Sequence, residues 1–251
     1  MDGSLGLRSL FAEIVRTYFA WAGTLLPLAF FVFVPLGLVH AIPVHVEATS
    51  FDFENGIAVF GAVLAVLLLV TTGLLGEVFY AGAVAIALTH PRDGDGRPPS
   101  LRRVATMIDY RVLIAVDLIF VVLVALGVVA FVVPGLLAFV YLGLAAPVAE
   151  IEQRGIRASL ARSVELVRGH FWLVLAVFAP IEIFSGVASS AATHTVHAVL
   201  GDSLVAAWLT DTATNILLTP FYAVAAVLLA LGLIAAKDGA GPRLHSAPPR
   251  R

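Results

Sequence analysis

The chain has 251 residues, of which 60% are hydrophobic and 13% charged, with a mean hydropathy of +1.00 and a formal net charge of -2. Such apolarity lies outside the range of soluble globular domains and requires surface that faces lipid, while the near-neutral charge carries no electrostatic footprint for nucleic acid. No cysteine is present, which excludes disulfides, thiolate catalysis and cysteine-ligated zinc.

A helix needs roughly 20 apolar residues to cross about 30 Å of hydrocarbon, and six apolar stretches are read as spans on that basis. The predicted fold is therefore all-α, a polytopic bundle of six membrane helices. Before the first stretch, Leu7, Leu10, Phe11, Ile14 and Tyr18 recur on one helical face with Arg8 and Arg16 nearby, the pattern of an amphipathic helix lying at the membrane interface. Span one follows, from about Trp21 to Ile42. Its Val39-His40-Ala41 end imitates a signal-peptide cleavage site, but the apolar run is too long for a signal and Glu13 interrupts the basic leader, so a retained span is expected.

Span two runs from about Ile57 to Thr89 and exceeds the minimum length. A loop rich in breakers follows, with Pro91, Gly94, Gly96, Pro98 and Pro99. A weaker amphipathic stretch, Leu101, Val104 and Ile108 with Arg102 and Arg103, begins behind Ser100 as its cap. Spans three and four, about Val112 to Val133 and Gly135 to Ala149, form a tight hairpin predicted to turn at Pro134-Gly135. A third amphipathic helix carries Ile156, Leu160, Val164, Val167 and Phe171 opposite Arg154, Arg157 and Arg168, with Arg162 also in reach of headgroups. Span five covers about Phe171 to Ala192 and span six about Trp208 to Ala236. Between them, residues 193–209 are either an outer interfacial helix or part of a longer tilted span six. The membrane domain thus covers residues 1–236, and residues 237–251 read as a disordered tail.

All 15 Lys and Arg fall before span one, between spans two and three, between spans four and five, or after span six. The intervening segments carry Glu47, Asp52, Glu54, Asp202 and Asp211 and no basic residue. Because cytoplasmic loops retain positive charge, both termini and both basic loops are expected on the cytoplasmic side of the cell membrane. The basic interfacial stretches make anionic lipid headgroups the expected partners, through Arg8, Arg16, Arg102, Arg103, Arg157, Arg162 and Arg168, with a protein partner or homo-oligomer as further options.

Self-comparison shows a repeat. Glu13-Ile14-Val15-Arg16-Thr17-Tyr18-Phe19 aligns with Glu165-Leu166-Val167-Arg168-Gly169-His170-Phe171, with Pro27 and Pro180 in the spans that follow. Phe79-Tyr80-Ala81 aligns with Phe221-Tyr222-Ala223. Three units, each an interfacial helix plus a two-helix hairpin, are the simplest architecture, in parallel rather than inverted orientation.

The stretch from Ala125 to Leu175 carries Gly127, Val133-Pro134-Gly135-Leu136, Pro147-Val148-Ala149-Glu150, Gly155-Ile156-Arg157-Ala158-Ser159-Leu160-Ala161-Arg162-Ser163 and Leu166-Val167-Arg168-Gly169-His170-Phe171-Trp172. It resembles the membrane domain that accompanies the catalytic domain of some bacterial glycerophosphoryl diester phosphodiesterases, and free-standing membrane proteins related to it. The close match covers about 50 residues. The last span departs from the family, ending on Leu233-Ile234-Ala235-Ala236-Lys237-Asp238-Gly239 rather than a Tyr-rich, Arg-containing helix end. The resemblance implies architecture and not phosphodiesterase chemistry, since no residues remain for a soluble barrel with metal-binding carboxylates.

Glu77, Asp117 and Glu182 fall inside predicted spans. Each costs about 2.5–3.5 kcal/mol at a helix centre and marks either a proton- or cation-handling site or a carboxyl bonded within the bundle. Pro180 precedes Glu182 by two residues and frees a backbone carbonyl beside it. His194 and His197, with Asp202 nearby, lack the glutamate of a zinc-protease helix, and solvated surface histidines are the simpler reading, so no metal or other cofactor is expected. Ser185, Ser189 and Ser190 lack His and Asp partners and no glycine-rich phosphate loop occurs, so no enzyme is expected. Two functions remain: a non-enzymatic protein that organises lipids or partners, and a proton- or cation-coupled transporter of a small or lipidic substrate.

Overall fold

The computed structural model describes residues 7–45, 67, 71, 74–90, 99–201 and 203–239. Among these the chain is all-helical, 89% helix with no strand. Nine helices follow in order among the described residues: α1 (Leu7–His45), α2 (Glu77–Thr89), α3 (Leu101–Met107), α4 (Tyr110–Ala130), α5 (Val132–Leu142), α6 (Ala145–Ile151), α7 (Ile156–Val167), α8 (Phe171–Leu200) and α9 (Leu204–Asp238). Among the described residues five stretches are long and apolar enough to cross a membrane: Leu7–Leu38, Tyr110–Ala130, Val132–Ile151, Phe171–Leu200 and Leu204–Asp238. They mark a membrane protein. Of expected span two, most residues before Leu74 lie outside the described residues, and its last part is the shorter apolar helix α2.

Helices α2 and α9 form the centre. Small residues let them approach closely: Ala81, Ala83, Ala85 and Ala87 on α2, and Ala223, Ala225, Ala226 and Ala230 on α9, are all fully buried. Helix α1 packs antiparallel to α9, for Tyr18 stacks on Phe221 with centroids 4.0 Å apart while Trp208 donates to the Val34 carbonyl at 3.1 Å. Large apolar side chains point outward instead, among them Phe31, Ile114, Leu118, Val133 and Ile183. A water-facing surface would not tolerate so much apolar area, whereas hydrocarbon solvates it.

Four expectations change. The first amphipathic stretch is not a separate interfacial helix, because α1 runs unbroken from Leu7 to His45 and buries Leu10, Ile14 and Tyr18 against protein. The hairpin turns at Phe131, not at Pro134-Gly135. Pro134 sits in the first turn of α5, where its missing N–H costs nothing. Gly135 meets Gly127 across the hairpin, and a Cβ on Gly127 would stand 2.6 Å from the Gly135 nitrogen. Residues 193–209 divide between two spans: α8 continues to Leu200, α9 starts at Leu204 so that 204–209 lengthen the sixth span, and Gly201, with φ +70°, lies between them. Finally, α9 runs two residues past the predicted boundary and ends at Gly239 with φ +74°; residues 240–251 lie outside the described residues.

The candidate functional site

The site begins with a break in the second apolar segment. Leu75 still donates to the Thr71 carbonyl at 3.1 Å, but Gly76 has φ +91° and a new helix, α2, starts at Glu77. Only glycine adopts that backbone cheaply. A Cβ there would also stand 2.5 Å from Leu36 Cδ1. The 13 residues of α2 put its start about 20 Å from its far end, within the thickness of a hydrocarbon layer.

A helix start at that depth exposes N–H groups that lipid cannot satisfy. Asp117, from the middle of α4, meets this need: its carboxylate accepts the Gly76 N–H at 2.9 Å and the Phe79 N–H at 3.2 Å. The positive end of the α2 dipole favours the charge. Asp117 is thus a cap supplied by another helix, and its oxygens are committed.

Glu77 is different. It is buried, and its Oε2 has no hydrogen-bond partner. It lies within electrostatic range of Glu182 and Asp117. Glu77 and half-buried Glu182 together line one open cleft of about 650 Å³, whose other walls are Leu74, Val124, Val128, Leu136, Phe139 and Leu175 with their neighbours. Pro180 places Glu182 one half-turn beyond an interrupted hydrogen bond of α8. Tyr222 of α9 is also within range of all three carboxyls, and its buried hydroxyl has no partner either. Its ring packs on Phe178 at 4.8 Å and on Phe139 at 6.0 Å. Gly143, between α5 and α6, leaves the space by that hydroxyl, since a Cβ would stand 2.9 Å from it.

A second cleft, of about 460 Å³, lies on the other side of Gly76 between α1, α2 and α4. Asp117 is its single charged residue, and those oxygens already bind backbone. The Glu77–Glu182 cleft is therefore the better binding site, because its polar atoms are unspent.

No protein-family model, curated protein or solved structure matches this chain. What the site can do follows from its own residues. Two carboxyls in walls of Val, Leu and Phe, with a buried phenol in electrostatic range, can hold a proton, a cation or a hydrogen-bond donor. Among the described residues no three His, Asp or Glu stand close enough to hold a metal ion together. His194 is exposed, while the side chain of His197 and all of Asp202 lie outside the described residues.

Of the expected headgroup arginines, Arg8, Arg16, Arg102, Arg103, Arg157 and Arg168 are exposed. Arg16 pairs with Glu13. Arg162 corrects the expectation. Its side chain is 8% exposed and binds Glu152 and Glu165, each at 3.1 Å, together with Asp238. Burial opposes its charge, but the bonds to Glu152 and Glu165 outweigh that and raise its pKa further. Lys237 first, then Arg162, hold the Glu165 carboxyl below its ordinary range. This cluster joins the last turn of α9 to α7. The buried face of α7 is Ser159, Arg162, Ser163, Leu166 and Val167, roughly a quarter turn from the apolar stripe seen in sequence, and Ser163 Oγ secures it by donating to the Tyr141 carbonyl at 2.7 Å.

Sequence reasoning named the three carboxyls but missed Gly76, Tyr222 as a site residue, and buried Glu150, which accepts the Asp109 N–H at 3.4 Å. A readable signal did exist for Gly76: a glycine directly before an intramembrane glutamate, in a span longer than the bilayer requires.

Proposed function

We propose that this protein is a proton- or cation-coupled carrier of a small or lipidic substrate, with the Glu77–Glu182 cleft as its binding site. One observation carries the reading: a buried carboxyl with one oxygen unpartnered lines, beside a helix break, an apolar cleft that a second carboxyl also lines. Buried polar groups are normally paired, and unpaired ones concentrate at working sites. In this reading the six-span layout, with three interfacial-plus-hairpin units and cytoplasmic termini, is the scaffold, and the likeness to the phosphodiesterase-associated membrane domain concerns that scaffold only. The chemistry is not enzymatic, for the cleft holds no nucleophile and base pair.

Carbodiimide labelling of the protein in lipid, from about pH 5 to about pH 9 and read by mass spectrometry, tests the site without a known substrate. Glu77 and Glu182 are modified, decreasingly as pH rises, while Asp117, held by two backbone N–H groups, is spared. Absence of modification at both Glu77 and Glu182 overturns the reading.

A second reading, organisation of anionic lipids or of a partner protein, is favoured by the exposed Arg8, Arg102, Arg157 and Arg168. It predicts that wild type associates more strongly with anionic than with neutral vesicles and that Arg157→Glu with Arg168→Glu reduces this preference; an unchanged preference for anionic vesicles counts against it.

A further inference from the structure

We propose that the Glu77–Glu182 cleft takes protonated amines with an apolar tail, the ammonium head lying between the two carboxyls. This rests on the carrier reading and gives it a substrate class.

Charge is the first argument. Among the described residues, the titratable groups within range of Glu77 are Glu182 on α8, Asp117 on α4 and Tyr222 on α9, and none is a cation. No Lys or Arg occurs at all in residues 17–91, 112–153 or 169–236. Among the described residues nothing supplies a counterion to these carboxyls, and an anionic ligand would add to their repulsion. A ligand that brings positive charge completes the site.

Hydrogen bonding narrows the cation. Glu77 is 9% exposed with Oε2 unpartnered, and Tyr222 is 1% exposed with its hydroxyl unpartnered. An ammonium offers three donors and can engage both carboxyls at once, while the rings of Tyr222, Phe139 and Phe178 stand close enough together to present aromatic faces nearby. Hard metal ions take six or more oxygens, more than two carboxyls and a phenol supply. Asp117 does not compete for the head, because its oxygens already bind the start of α2.

Shape sets the tail. The cleft volume of about 650 Å³ suits a small amphiphile. Val124, Val128, Val132, Leu136, Leu175 and Ile183 form its walls, and Val132, Leu136 and Ile183 are exposed on the lipid-facing surface. An amine partitioned into the membrane thus reaches the carboxyls from the side, with its tail against aliphatic side chains.

The test uses the full chain in phosphatidylcholine nanodiscs, whose lipid carries no net charge. Binding of phenethylamine and of its neutral counterpart phenethyl alcohol is measured by equilibrium dialysis, with empty nanodiscs subtracted. Wild type binds the amine at least about tenfold tighter than the alcohol, and Glu77→Gln and Glu182→Gln abolish that preference. Equal affinity in wild type, or a preference retained in both variants, overturns the proposal. A readout on unmodified protein guards against variants that misfold: phenethylamine, but not the alcohol, protects Glu77 from carbodiimide. If carbodiimide labels Glu77 and the amine gives no protection, the substrate class fails and the carrier site stands. If Glu77 and Glu182 both resist labelling, the two fall together.

Discussion

Tyr80 and Tyr222 sit in matching Phe-Tyr-Ala triplets on the two central helices, and both are almost fully buried. Yet Tyr80 donates its hydroxyl to the Leu25 carbonyl at 2.8 Å, whereas the Tyr222 hydroxyl has no partner. The carboxyls divide in the same way. Asp117 is satisfied by the start of α2, while Glu77, one residue past Gly76, keeps an oxygen unpartnered. Identical residue types in similar burial thus serve two purposes. Where the polar atom is paired it fastens helices together, and where it is unpaired it lies in the cleft wall, as Glu77 does, or within electrostatic range of the cleft carboxyls, as Tyr222 does. The comparison also separates stability from binding, because removing a paired group costs the bond and strands its partner, while removing an unpaired one costs neither.

The sharpest way to break this contrast is Asp117→Ala. Two buried backbone N–H groups at the start of α2 lose their acceptor, and a loss of about 2–3 kcal/mol is expected in reversible unfolding from mixed micelles. A change below about 0.5 kcal/mol would mean that Asp117 is not the cap. Tyr80→Phe comes next, removing one hydrogen bond between α2 and α1, and should cost about 1 kcal/mol in the same assay. Tyr222→Phe should be smallest, within about 0.5 kcal/mol of wild type, since no bond is broken. If the two tyrosine variants cost the same, the distinction drawn between the paired and unpaired hydroxyls disappears.

The two copies of the Glu-x-Val-Arg segment show how little sequence separates different local outcomes. In the first, Thr17 continues α1 through Tyr18 and Phe19. In the second, Gly169 takes φ +90° and divides α7 from α8. Self-alignment found the likeness, but the glycine decides that only the second copy is a separate amphipathic helix. The hairpin at Phe131 teaches a related lesson. Pro134-Gly135 reads as a turn by composition, yet proline is equally suited to the first turn of a helix, and Gly135 is needed for contact with Gly127.

Composition and charge placement determined by themselves that the chain is a helical membrane protein and that its basic residues lie between or beyond the apolar segments. They also singled out Glu77, Asp117 and Glu182, because hydrophobicity and the cost of charge in hydrocarbon act on each segment independently of its neighbours. Only the tertiary structure decided what each polar group does. Pairing depends on which helix faces which: α4 brings Asp117 to Gly76, α7 and α9 bring Arg162 to Glu152 and Asp238, and α2 with α8 opens one cleft to both Glu77 and Glu182. No spacing within a single span encodes those contacts. They arise from small residues that set how close the helices come and from the unsatisfied atoms that this packing leaves behind.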